Sequence, residues 1–223
     1  MIKLEKKESI YFLTMDAGEN RWNTTFVREI AKALDTIEDD EGQGALITSS
    51  TDSKFFSNGL DLEWMQAPED HPDGGDREVF GEEFMYLMGR FITLPIPTVC
   101  ALNGHTFGAG FMFALSHDFR IMREDKGFIC ANEMQLGLPI PRPELALFKH
   151  KIPANAFFET VQLSKRWTGS DALKAGIVQG VSSFEELSGA ALRKAKELAP
   201  LANNRKYFGH QKEMLYGENA AIN

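Results

Sequence analysis

Only two cysteines occur in the 223 residues, Cys100 and Cys130, each inside an apolar run and neither with metal-ligand spacing around it. That argues against a disulfide-stapled secreted fold and for free core thiols in a reducing compartment. No apolar run approaches the roughly 20 residues a bilayer-spanning helix needs, so no membrane partner is expected. The N-terminus, Met-Ile-Lys-Leu-Glu-Lys-Lys-Glu, mixes charges and has no apolar segment, unlike a secretory signal. The final Ala-Ile-Asn is not a Ser-Lys-Leu address, and the expected location is cytoplasmic. Positive charge is also scarce, with 24 Lys and Arg against 32 Asp and Glu and a formal net charge of −8. That excludes a broad nucleic-acid surface, which needs a net basic face. It leaves room for an anionic small molecule held by a few local donors. Repeats and low-complexity segments are missing, and the one Gly-x-Gly lacks the spacing of a nucleotide phosphate loop.

What is present is ordinary globular material, 43% hydrophobic and 25% charged, enough for one domain or a domain with a small appendage. Residues 2–7 and 9–15 predict a strand hairpin. A helix opens at Thr24 with Phe26, Ile30, Leu34 and Ile37 on one face. Residues 45–49 predict a buried strand, and Asn58-Gly59 a turn that leads into a helix at 60–65. Residues 68–76, rich in Pro, Gly, Asp and Glu, predict a surface loop. Residues 77–93 predict an amphipathic helix, 98–102 a buried strand, and 111–115 a buried helix. Strands at 118–123, 128–130 and 177–181 follow, with helices at 154–163, from a Ser170 N-cap to Gly176, at 184–198 and at 203–215. Alternating strands and helices, then mostly helices after residue 140, predict an α/β fold on a parallel sheet. The division expected is an α/β core at 1–140 and a mainly helical region at 141–223.

Two loops carry the chemistry. Each leaves a strand, passes glycine (Asn58-Gly59, then Gly108-Ala109-Gly110) and enters a helix. The first backbone N–H groups of such a helix have no partner within it. Without bulky side chains a negatively charged oxygen can approach them. The same small residues also suit a merely tight connection. In a parallel α/β sheet the ligand belongs beyond the carboxyl ends of the strands.

Five stretches in order resemble the crotonase (enoyl-CoA hydratase/isomerase) superfamily. They are Phe-Ser-Asn-Gly-Leu-Asp-Leu at 56–62, Ala-Leu-Asn-Gly-His-Thr-Phe-Gly-Ala-Gly at 101–110, His-Asp at 117–118, Asn-Glu-Met-Gln-Leu-Gly-Leu at 132–138, and Trp-Thr-Gly-Ser-Asp-Ala-Leu-Lys-Ala-Gly-Ile-Val at 167–178. The resemblance covers roughly residues 1–200. It implies the crotonase fold, stacked ββα units around a parallel-sheet core with a helical C-terminal trimerisation region. It implies an acyl-CoA thioester as partner, a homotrimer or dimer of trimers, and no cofactor or metal beyond the coenzyme A of the substrate.

By that resemblance the oxyanion-hole amides fall on Leu60 and Ala109. The two glutamate positions of the hydratases fall on Met112 and Glu133. A thioether cannot deprotonate water, so hydration is disfavoured. A lone Glu133 suffices to move one proton from C2 to C4 of a 3-enoyl thioester, which resembles the short, plant-like Δ3,Δ2-enoyl-CoA isomerases of fatty-acid β-oxidation. Met112, Phe107 and Phe128 are expected to raise the Glu133 pKa. The implied substrate-binding set is Asn58, Gly59, Leu60, Asp61, Leu62, Gly108, Ala109 and Asn132, with Lys54 near the CoA phosphates. Asp61 is expected to cap a helix, Asp118 to serve structure, and His105 to be a satisfied turn histidine. The Leu-Pro-Ile-Pro-Arg-Pro run at 138–143 departs from the family pattern and predicts a different acyl-pocket wall. The alternatives are another crotonase reaction (weak hydratase, decarboxylase or thioesterase) and a non-catalytic acyl-CoA binder.

Overall fold

The structure, a computed structural model, describes residues 1–67 and 75–216. Most of the loop expected at 68–76, with His71, lies outside them. The chain opens with β1 (Ile2–Lys7) and β2 (Ile10–Met15), an antiparallel hairpin, and then α1 (Thr24–Glu38). Asn23 caps α1 by accepting a hydrogen bond from Phe26 N at 2.9 Å. Three units of similar plan follow. The first is β3 (Ala45–Ser50), β4 (Phe55–Ser57), α2 (Leu62–Gln66) and α3 (Phe80–Thr93). The second is β5 (Thr98–Leu102), β6 (His105–Phe107) and α4 (Ala109–Leu115). The third is β7 (Phe119–Arg123), β8 (Ile129–Cys130), α5 (Glu133–Leu136), α6 (Arg142–Lys151), α7 (Ala154–Val161) and α8 (Gly169–Lys174). The chain then runs through β9 (Gly180–Ser182), α9 (Phe184–Leu198) and α10 (Arg205–Tyr216).

The long strands form a six-stranded sheet in the order β1-β2-β3-β5-β7-β9, parallel from β2 onward. The short strands form a second, parallel sheet in the order β4-β6-β8. Each unit therefore gives one strand to each sheet, and the three short strands end side by side. This is the crotonase architecture.

Alternation along the strands sets the two faces of the main sheet. Ala45, Ile47, Val99, Ala101 and Ile121 face α9, where Leu187, Ala191 and Ala195 allow close approach. Leu46, Cys100, Leu102 and Met122 face the larger core. Trp22 sits in that core with Phe26, Phe84 and Phe113 edge-on at 5.0, 5.1 and 5.0 Å.

Two buried polar groups beside the main sheet are paired. Asp118 accepts from Thr98 N at 2.8 Å and from Lys212 Nζ at 2.6 Å, which ties α10 to the start of β5. That is the structural role expected of it. His117 is buried between Phe113 O and Thr48 Oγ1, both at 2.8 Å. Burial holds its ring neutral, with a pKa pushed down to about 3.

Some expectations are corrected. The short strand β6 was not predicted, and β9 starts at Gly180 rather than 177. Thr168, not Ser170, caps α8, because its side chain accepts from Asp171 N. The first helical turn after the 68–76 loop begins at Phe80 rather than Arg77. The two cysteines are buried and free.

Candidate active site

The first wall of the site is the turn after β4. Trp22 N donates to Gly59 O and Asp61 N donates to Trp22 O, each at 2.9 Å. These two bonds bracket residue 60 in a parallel bridge with Trp22. Residues alternate in direction along such a bridge, so the Leu60 N–H faces away from Trp22. Among the described residues it donates to no protein acceptor. Gly59 has φ +83°, and a Cβ there would stand 2.9 Å from Phe107 O. Only glycine meets both conditions. Asp61 caps α2 by accepting from Trp64 N at 3.1 Å, as expected.

The second wall is the turn after β6. Gly108 has φ 48° and ψ −118°, and its N–H donates to Cys130 O at 3.0 Å. Ala109 opens the buried helix α4 with an N–H that likewise donates to no acceptor among the described residues. A Cβ on Gly110 would stand 2.5 Å from Ser57 Cβ and Oγ, and one on Gly59 would stand 3.8 Å from Gly108 Cα. The two turns therefore touch backbone to backbone, and residues 60 and 109 line one cavity.

The third wall follows β8. Glu133 is the first residue of α5, and its Oε1 lies 3.2 Å from the point a Gly108 Cβ would occupy. Its carboxyl thus stands over Gly108, beside the free amide of Ala109. Its Oε2 is buried with no partner. Burial raises its pKa above the ordinary carboxylate range, and a bond from its own backbone N–H opposes that only in part.

The cavity between these walls is about 540 Å³. Leu60, Leu62, Met65, Phe80, Phe84 and Met112 make it largely apolar. The sequence predicts one carboxylate here; the structure holds two. Glu144, in the first turn of α6, lines the same cavity. Burial first, then the charge of Glu133, push its pKa up to about 7. A sequence signal for it exists. Glu144, Leu147 and Phe148 share one helix face at i, i+3 and i+4, and Leu147 and Phe148 are fully buried.

A family model described as enoyl-CoA hydratase/isomerase matches residues 5–213. The chain belongs to the enoyl-CoA hydratase/isomerase family. It is 32% identical over 227 residues to enoyl-CoA delta isomerase 2, peroxisomal, of Arabidopsis thaliana, a match over 100% of this chain and 95% of that one. The crystal structure of a probable enoyl-CoA hydratase of Mycobacterium tuberculosis superposes with a TM-score of 0.87 at 26% identity, covering 99% of this chain and 91% of that one. The human mitochondrial Δ3,Δ2-enoyl-CoA isomerase shares the fold, with a TM-score of 0.86 at 24% identity over 99% of this chain and 84% of that one.

Of the residues that the family resemblance implies, Asn58, Gly59, Leu60, Leu62, Gly108, Ala109, Asn132 and Glu133 all line the cavity. Asn58 also braces the first turn by donating to Glu19 Oε2 at 2.7 Å. Lys54 and Asp61 are not among the lining residues. The Lys54 ammonium lies 4.8 Å from the centre of the Phe55 ring. The rings of Phe107 and Phe128 pack on His105 at 5.1 and 5.5 Å, and neither residue lines the cavity. His105 is not the satisfied turn histidine expected, since its buried Nδ1 has no hydrogen-bond partner. The enoyl-CoA hydratase/isomerase fold thus supplies three loop ends that converge on one apolar cavity.

Proposed function

We propose that this chain is a Δ3,Δ2-enoyl-CoA isomerase acting on 3-enoyl-CoA thioesters in fatty-acid β-oxidation. One observation carries the reading. A Glu133 carboxyl with one buried, unpartnered oxygen shares one apolar cavity with two main-chain amides, Leu60 and Ala109, that have no acceptor among the described residues.

The thioester oxygen accepts from both amides. Ionised Glu133 takes a proton from C2, and the C2–H electron pair spreads over C2–C4 and onto the thioester oxygen as a dienolate. Preorganised amides stabilise that charge where it develops, and losing one such donor costs about 3 kcal/mol. Burial makes Glu133 a stronger base than a free carboxylate, closer to the range a proton carrier needs at neutral pH. Protonation at C4 by a carboxyl at the cavity completes the trans-2-enoyl product. Nothing is oxidised or reduced overall, so the step needs no cofactor beyond the coenzyme A of the substrate. The apolar lining suits the acyl chain.

The second carboxyl, Glu144, favours one further reading, a weak hydratase in which two carboxyls hold water. Purified protein given trans-3-hexenoyl-CoA and, separately, crotonyl-CoA distinguishes the two by absorbance and product mass. Isomerisation forms the conjugated thioester from the first substrate at unchanged mass. Rapid loss of conjugation from crotonyl-CoA with gain of one water, and no turnover of the 3-enoyl substrate, overturns the isomerase reading. A cytoplasmic location and a homotrimer belong to the same proposal, tested by cell fractionation and light scattering.

A further inference from the structure

We propose that Glu144 is the acid that protonates C4, so that the reaction uses two carboxyls in relay rather than one that returns the same proton. This rests on the isomerase reading and extends it. Among the described residues, four titratable side chains line the cavity: Arg21, Arg77, Glu133 and Glu144. Arginine does not give up its proton in a protein. Once Glu133 is committed as base, Glu144 is the remaining lining group among the described residues that can donate one.

A purely structural role for Glu144 is hard to build. A glutamate at the third position of a helix ordinarily reaches back to the backbone N–H of the N-cap residue. Here the N-cap is Pro141, which has no N–H, and Pro143 has none either. Among the described residues Glu144 has no hydrogen-bond or ion-pair partner. A half-buried carboxyl left without partners costs stability. It is retained on the one helix face that turns into the cavity.

The chemistry balances. Glu133 takes the C2 proton, and the released pair moves through the dienolate to C4. The Glu144 O–H bond breaks as the C4–H bond forms. Glu133 ends protonated and Glu144 ionised, and one proton passing between them through water restores the start. The coupling of the two groups helps in both directions. Burial first, and then the charge of ionised Glu133, favour the protonated form of Glu144 before the reaction. Once Glu133 takes up a proton, that restraint is gone and Glu144 becomes the stronger acid.

The test follows deuterium in trans-3-hexenoyl-CoA labelled at C2, turned over in ordinary water by the wild-type protein, E144Q and E144L. Wild-type turnover itself is the control for the isomerase reading; without it that reading fails, and this one with it. The relay predicts that wild-type product carries hydrogen at C4, with the deuterium lost to solvent. Both variants should turn over at least tenfold more slowly and deliver a larger share of deuterium to C4, because only Glu133 remains to donate. E144L fits the apolar wall and controls for an effect of glutamine on folding. Wild-type turnover with the same rate and the same deuterium transfer in both variants overturns the proposal.

Discussion

At the residue scale, the site depends on one glycine as much as on one acid. Gly108 combines a φ of +48° with a neighbouring Glu133 oxygen 3.2 Å from where a Cβ would go. A methyl there brings backbone strain of about 1–3 kcal/mol and displaces the carboxyl from the Ala109 amide. G108A is therefore expected to lose at least tenfold in kcat and about 2 kcal/mol of stability, read by isomerase assay and denaturant unfolding. Glu144 supplies a prediction of opposite sign. The fold favours its neutral form, with a pKa of about 7 against an ordinary value of 4.5. Between those values the unfolded chain releases a proton that the folded chain keeps, so this contribution to stability is present in acid and lost as pH rises through 7. E144Q should match wild type near pH 4 and exceed it near pH 8, by about 1–2 kcal/mol after allowance for solvent at a half-buried site. Tm measured against pH checks it.

Legibility at this scale followed chemistry. Leu60, Ala109 and Glu133 were placed by the family resemblance, which the glycine-turn motifs around them carry; spacing alone did not single them out. Glu144 sits amid prolines and is visible only as one face of a short helix. Lys54 lies outside the cavity, with its ammonium over the ring of its neighbour Phe55.

At the element scale, the three short strands β4, β6 and β8 hold the site together. Their parallel pairing brings residues 58–60, 108–109 and 132–133 to a common end. Most long elements were readable from apolar periodicity. The short strand β6 was not, because three residues between a turn and a glycine hold too little pattern to separate strand from loop. The same limit blurred β9, where Gly176 and Gly180 break the apolar run. Cap residues were also ambiguous: Thr168 and Ser170 are both good candidates, and only backbone geometry chooses Thr168. A prediction belongs here as well. α10 reaches the sheet through Lys212, buried and paired with Asp118. D118N leaves that ammonium buried without its counter-charge, a change that typically costs about 3–5 kcal/mol. Urea unfolding should show a loss of about 3 kcal/mol, with KM for the enoyl thioester essentially unchanged at temperatures where the variant is folded.

At the scale of the whole molecule, the fold separates support from chemistry. One sheet face is sealed by α9 and its alanines, and the other carries the aromatic core around Trp22. That core fixes the turn after β4 directly. Trp22 Nε1 donates to Ser57 Oγ at 3.0 Å, and its backbone brackets Leu60. A large rigid core thereby sets the direction of a single amide, which is the preorganisation that oxyanion stabilisation needs. The acidic balance of the sequence says nothing of this. The main-chain amides of Leu60 and Ala109 and the carboxyls of Glu133 and Glu144 meet at one cavity that the net charge does not reveal.

The most direct measurement is the initial rate of conjugation of trans-3-hexenoyl-CoA by wild-type protein and by E133Q, with circular dichroism and Tm showing both folded. Glutamine keeps the shape at position 133 and removes the base. The account predicts that E133Q falls by about a thousandfold, within the 10²–10⁴ that a positioned proton carrier contributes, while still binding the thioester. A folded E133Q that isomerises the substrate at the wild-type rate contradicts it.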